Sequence, residues 1–109
     1  MTTQDWSDNI VLVDLVDDPE LSDDLTILTE QMEKEPKDVV LNFAAVNFLN
    51  SSNISRLLKL RKTLIDRDRQ LRLCAISIQV LAVFLLTGLD TVFDVVTDTA
   101  AALTSLQIK

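Results

Sequence analysis

Residues 39–65 read VVLNFAAVNFLNSSNISRLLKLRKTLI, and the fold class turns on this stretch. Val39 to Ala45 is almost continuously apolar, as a strand covered on both faces must be, because alternate side chains then meet two buried surfaces. From Ile54 the period changes: Ile54, Leu57, Leu58, Leu64 and Ile65 recur at helical spacing. Asn50, Ser51, Ser52 and Asn53 stand just ahead, and each is a residue type that caps a helix N-terminus well. The reading is a buried strand, a polar loop and an amphipathic helix of about four turns.

The flanking sequence repeats that alternation. Ile10 to Val16 (IVLVDLV) is a second buried strand, closed by Asp17-Asp18-Pro19. Leu21, Leu25, Leu28 and Met32 then mark an amphipathic helix, with Ser22 or Asp23 as its expected cap and its end expected before Glu35-Pro36. Downstream, Leu71 to Ile76 is expected as a strand, Ile78 to Leu86 as a helix closed by Thr87-Gly88, Val92 to Val96 as a strand and Asp98 to Leu106 as a helix. Strands alternating with helices require long crossover connections, so the class is α/β: a mostly parallel sheet of four or five strands with about four helices. The expectation is a single domain over residues 1–109, with its core from about 10 to 106.

The residue types that are missing narrow the function. Among 109 residues there is no His, one Cys and one Gly. Imidazole base chemistry, His-containing metal sites and His-based nucleophile pairs are impossible. Neither the dinucleotide fingerprint nor the P-loop can be built from Gly88 alone. Cys74 has no disulfide partner and is read as a small buried residue of a strand. The pairs Asp17-Asp18 and Asp23-Asp24 are read as solvated carboxylates, with no cofactor or metal expected. Trp6 is expected as a packing lid near the terminus.

No secretory order of basic then apolar residues opens the chain. The most apolar stretch, Leu73 to Leu86, is interrupted by Ser77 and Gln79 and is shorter than the ~18–20 residues that span a bilayer. A cytoplasmic protein without membrane insertion is expected.

Charge is segregated: the net value of −7 divides into −10 over residues 1–38, +5 over 39–72 and −2 over 73–109. The bases Arg56, Lys59, Arg61, Lys62, Arg67, Arg69 and Arg72 lie on or just after the second helix. They are read as a solvated face complementing the end of the helix dipole, not as a nucleic-acid footprint, since the chain is acidic and lacks clustered aromatics.

The order strand, Phe48-Leu49-Asn50-Ser51-Ser52-Asn53-Ile54, helix with Leu57-Leu58 and Leu60-Arg61-Lys62, strand, then Leu86-Thr87-Gly88-Leu89 and Val92-Phe93 resembles the STAS domain of bacterial anti-sigma factor antagonists. The resemblance covers about residues 10–106. It implies a non-enzymatic, partner-switching regulator of transcription. In its unphosphorylated state such an antagonist binds an anti-sigma factor that is itself a serine kinase, and phosphorylation of the first Ser of the motif blocks the binding. That position here is Ser51, and the implied partner surface is Asn47, Asn50, Ser51, Ser52, Asn53, Ser55 and Arg56. Asn50 stands where the family has Asp, and Asn53 and Ser55 where glycines are usual, which places side chains where a partner's backbone would approach closely. Asp68 replaces a common glycine after the second helix and is expected in the left-handed conformation that Asp tolerates.

Read without the resemblance, Asn50, Ser51 and Ser52 are helix caps worth about 1 kcal/mol. The expectation is both roles: a cap from one residue and an exposed hydroxyl on Ser51.

The third helix has its expected core face in Val80, Val83 and Phe84, yet Ile78, Leu81, Ala82 and Leu85 on the other side are apolar too. Exposed, Ile78, Leu81 and Leu85 would form a patch for a homodimer or another complex. That patch and the loss of Asp at position 50 lean toward a second role, a STAS subunit of a transporter or signalling scaffold not switched by phosphate.

Overall fold

The computed structural model describes residues 1–107. Its elements run β1 (Thr2–Asp5), β2 (Ile10–Val16), α1 (Glu20–Lys34), β3 (Asp38–Ala45), α2 (Ser51–Asp66), β4 (Leu71–Cys74), α3 (Ile78–Thr87), β5 (Val95–Val96) and α4 (Thr99–Gln107). The five strands form one sheet in the order β1-β2-β3-β4-β5, with β1 antiparallel to β2 and the remaining pairs parallel. Spatial order following chain order, with crossovers of one hand, sends successive helices to the same face. The α1, α2 and α3 residues Leu25, Leu57 and Phe84 accordingly share a core with Val13, Leu41, Phe43 and Leu73. The opposite face carries α4, whose Ala102, Leu103 and Leu106 cover Ile10, Val40 and Cys74.

The α/β architecture read from the sequence is therefore the one observed, with differences at its margins. Thr2–Asp5 is a strand although it is polar throughout and exposed. An edge strand is held by its backbone ladder to β2 and needs no apolar face. Trp6 is no lid: it sits in the β1–β2 turn and stays nearly half exposed. β4 is shorter than the strand expected over Leu71 to Ile76, because Ala75 turns the chain with φ of 58°. Val92, Phe93 and Asp94 are not strand either. A 3-10 turn over Leu89–Thr91 directs Phe93 inward, where its ring lies 5.8 Å from that of Phe84.

Helix boundaries show which side chains do the capping. α1 has neither Ser22 nor Asp23 as its cap; Asp18 Oδ1 accepts the Ser22 N–H at 3.0 Å instead. α1 does end before Glu35-Pro36. Gly88 closes α3 in the left-handed region at φ 76°, and Asp68 adopts φ 58° after α2. In α4, Asp98 Oδ1 accepts the Ala101 N–H at 2.8 Å. Cys74 is fully buried, and desolvation pushes its thiol up to about 11, so it is inert at neutral pH.

Along α2 the core stripe is Leu57, Leu60 and Leu64, whereas Leu58 and Ile65 are exposed. Helical spacing alone puts Leu58 and Ile65 on that stripe, but it is Leu60 that packs against the sheet. The distinction is measurable in urea unfolding. Leu60→Ala should lower stability by about 2–5 kcal/mol through lost burial and a residual cavity. Leu58→Ala should change it by about 0.5 kcal/mol or less.

Candidate functional site

Parallel strands all point their C-terminal ends to one edge of the sheet, where open α/β folds place their binding sites. At this edge the end of β2 supplies Asp17 and Asp18, and the end of β3 supplies the loop 46–50 that leads into α2. The two carboxylates hold that loop. Asp17 Oδ1 accepts the backbone N–H groups of Asn47 at 2.7 Å and Phe48 at 3.3 Å, while its Oδ2 accepts Asn47 Nδ2 at 2.8 Å. Asp18 Oδ2 accepts Asn50 Nδ2 at 2.9 Å and Asn53 Nδ2 at 3.1 Å.

The cap of α2 is built on this pair. Asn50 is the N-cap: its Oδ1 accepts the Asn53 N–H at 2.8 Å, and Asn53 Oδ1 accepts the Asn50 N–H at 3.0 Å. Such a reciprocal box satisfies two backbone donors that the helix cannot use internally. Asn53 Nδ2 also donates to Ser22 Oγ at 2.8 Å, tying α2 to α1. An amide is required at position 50, since its NH2 group donates to Asp18 while its oxygen accepts from the helix. A carboxylate there would face Asp18 at hydrogen-bond distance and repel it.

This geometry divides the candidate residues. Ser51, the first residue of α2, is exposed, and its hydroxyl has no partner among the described residues. Asn47, Asn50 and Ser55 are exposed beside it, and Phe48 presents a ring that is 75% accessible. Ser52 is exposed but accepts a hydrogen bond from Arg56 Nη1, and Arg56 Nε donates to Thr26 Oγ1 at 3.0 Å. Asn53 does not belong to the outer surface: at 2% exposure it is a buried strut. Its side chain fills the place a glycine would leave empty and so does not obstruct a partner. Beside Ser52, Ser55 and Arg56, a groove of about 530 Å³ opens between α1 and α2, with Glu30 and Lys59 on its walls.

Asp17 and Asp18 hold the candidate site together, although the sequence alone reads them as solvated acids. Their partners lie about thirty positions away, so no local pattern reveals them. The available signal was Asn at 47, 50 and 53, a run of amide donors facing two acids at the neighbouring strand end. Asp24 also departs from the solvated reading, being largely buried with its carboxylate 2.9 Å from the Met1 amino group.

Hydrogen bonding holds both loop-clamping carboxyls below their ordinary value. For Asp17 the Asn47 side chain is the main cause, followed by the Asn47 N–H. For Asp18 it is the Ser22 N–H, followed by Asn53. A carboxyl depressed in the folded state contributes stability that is present above its unfolded pKa of about 3.9 and is lost as pH falls through the folded value. Hydrogen-exchange protection of the Asn47 and Phe48 amides, measured against the intrinsic rate at each pH, should therefore hold down to about pH 4 and fall below it. Asp18→Asn should accelerate exchange at Ser22 and Asn53 already at neutral pH.

At the opposite edge, the basic residues are not a uniformly solvated face. The last turn of α2 contains no base, and its C-cap Arg67 donates Nη2 to Glu33 O at 3.0 Å. Arg61, Arg69 and Arg72 line a small cavity with Phe93 and Asp94. On α3, Ile78, Leu81, Leu85 and Leu86 are exposed, Val83 is half buried, and Val80 and Phe84 anchor the helix. No helix of the described residues is long and apolar enough to cross a membrane.

Comparison with curated proteins finds no significant match. Solved structures do match in fold. A candidate anti-sigma factor antagonist of Thermotoga maritima superposes with a TM-score of 0.85 at 14% identity, over 97% of this chain and 93% of that one. The anti-sigma factor antagonist SpoIIAA in its unphosphorylated form gives 0.80 at 17%, over 99% and 97%. Its phosphorylated form, from Bacillus, gives 0.71 at 17%, over 93% and 95%. A sulfate transporter family protein from Wolinella succinogenes gives 0.78 at 15%, over 91% and 85%. At such identities these likenesses speak for the fold alone. The sequence itself matches the model of the STAS domain over residues 14–102, and with the sheet and helix order described above this shows that the chain belongs to the STAS domain family.

Proposed function

We propose that this chain acts as a single STAS domain, an anti-sigma factor antagonist that binds an anti-sigma factor/serine kinase and is released from it when Ser51 is phosphorylated. The observation that carries the reading is the unpartnered Ser51 hydroxyl at the first position of α2, on a loop that two carboxylates hold in place. A kinase needs an accessible hydroxyl in a defined setting, and this edge of the sheet offers one. The exposed ring of Phe48 and the groove between α1 and α2 give a partner both an apolar anchor and a polar seat.

A phosphate on Ser51 would bring about −1.5 to −2 charges to a helix N-terminus, whose backbone N–H groups and dipole tolerate it. The domain would stay folded while the docking surface became negative. SpoIIAA, solved in both phosphorylation states with this fold, supports such a switch. The protein itself performs no catalysis in this reading; the partner supplies the kinase. The buried thiol of Cys74 and the lack of a second cysteine suit a cytoplasmic setting.

Binding to the serine-kinase anti-sigma factor of the same cell, followed by calorimetry, tests the proposal. Ser51→Asp should abolish binding while circular dichroism and the melting temperature stay nearly unchanged; Ser51→Ala should bind and resist release by ATP. Equal binding by Ser51→Asp and the native chain would refute the switch.

A second reading has its own observation in α3, which has no charged residue and leaves Ile78, Leu81 and Leu85 exposed. This face supports a constitutive assembly, a homodimer or a transporter-associated subunit, and the Wolinella sulfate transporter family protein shares the fold. Leu81→Glu combined with Leu85→Glu should then lower the mass measured by light scattering from dimer to monomer. A monomer in both forms would remove the homodimer.

A further inference from the structure

The cavity at the N-terminal edge of the sheet has no part in the switch. It has a volume of about 170 Å³ between the last turns of α2, the start of β4 and the segment before β5. Arg61 lies ten residues along α2 from Ser51, about 15 Å at the helical rise, so this cavity and the switch occupy opposite ends of the helix. Three guanidinium groups line it, from Arg61, Arg69 and Arg72.

Their bonding is unequal. Arg72 is committed: Nε donates to Ser105 Oγ at 3.1 Å, and Nη1 to Leu71 O at 3.2 Å and Asp94 Oδ2 at 3.4 Å. Arg61 spends only Nε, on Val92 O at 3.1 Å, which fixes the plane of its guanidinium. The Arg69 side chain has no partner among the described residues, while its backbone N–H is anchored to Leu64 O at 2.8 Å. Asp94 is the one carboxylate on the cavity wall, and its side chain is three-quarters exposed.

Three guanidinium groups against one carboxylate leave a net positive hollow in a chain whose net charge is −7. The helix dipole accounts for neither Arg61, which precedes the last turn of α2, nor Arg72, which is on β4. Three like charges against the single counter-charge of Asp94 suit an anion, and planar guanidinium forks match the oxygens of a tetrahedral oxyanion. Gln70 accepts from Arg72 Nη2, and Leu64, Ile65, Leu71, Val92 and Phe93 add apolar wall that keeps the donors in a partly dry setting, where they bind more strongly than in water.

We infer that Arg61, Arg69 and Arg72 form a binding site for a small phosphate oxyanion, either the free ion or the terminal group of a small phosphomonoester. The site is remote from Ser51 and does not depend on the partner-switching reading.

The test is titration of the isotopically labelled chain with inorganic phosphate and, separately, with phenyl phosphate, in a phosphate-free buffer with ionic strength held constant by chloride. Saturable shifts should appear at the amides of Arg69, Val92, Phe93 and Asp94. Arg69→Gln should weaken the affinity about tenfold, the loss of a charge-assisted donor pair. Lys62→Gln, which removes an equal charge from the outer face of α2, should leave it unchanged. Saturation by phosphate alone identifies the free ion, and tighter saturation by phenyl phosphate identifies a monoester. Shifts that never saturate, or an equal weakening by Lys62→Gln and Arg69→Gln, would overturn the site.

Discussion

Two neighbouring carboxylates at the end of β2 organise the edge of this molecule on which its function is proposed to rest. Asp17 and Asp18 together accept bonds from the backbone of Asn47 and Phe48 and from the side chains of Asn47, Asn50 and Asn53. They fix where loop 46–50 runs and at which residue α2 begins. Because Asn50 must be both the helix cap and a donor to Asp18, Ser51 falls at the first helical position with its hydroxyl turned outward. The position of the candidate phosphoacceptor thus follows from a hydrogen-bond network that spans three elements, not from the serine motif alone.

The same network accounts for two of the departures from the family pattern, those at positions 50 and 53. An Asp at position 50 is incompatible with Asp18 in its observed place, and Asn supplies the missing donor. A glycine at position 53 would leave Asp18 and Ser22 without the amide that joins them. These asparagines are a structural substitution for charge and space, and the surface left to a partner is correspondingly neutral and built from Phe48, Asn50, Ser51 and Ser55.

Much of the architecture was legible in the sequence because its elements carry strong local patterns. IVLVDLV and VVLNFAA are continuous apolar runs, and α1 shows clean helical spacing between Leu21 and Met32. What escaped were features decided by distant partners. β1 is polar and exists by pairing with β2. Phe93 looked like a strand residue but is drawn into the core by Phe84. Leu60 and Leu58 differ by two positions, and only the packing against the sheet selects Leu60. Ser51 was legible as the candidate acceptor, whereas the Asp17–Asp18 clamp, the burial of Asn53 and the arginine cavity were not, since each joins residues some twenty to thirty-five positions apart.

The claim at the centre of this account is that Ser51 is a phosphoacceptor. Mass spectrometry of the protein isolated from its own cells tests it directly, with fragmentation of the tryptic peptide Asp38 to Arg56 to separate Ser51 from Ser52 and Ser55. The account predicts phosphate on Ser51 in part of the population, changing with growth or stress conditions. A peptide unmodified under all of them, or one phosphorylated at Ser52 or Ser55 instead, would contradict it.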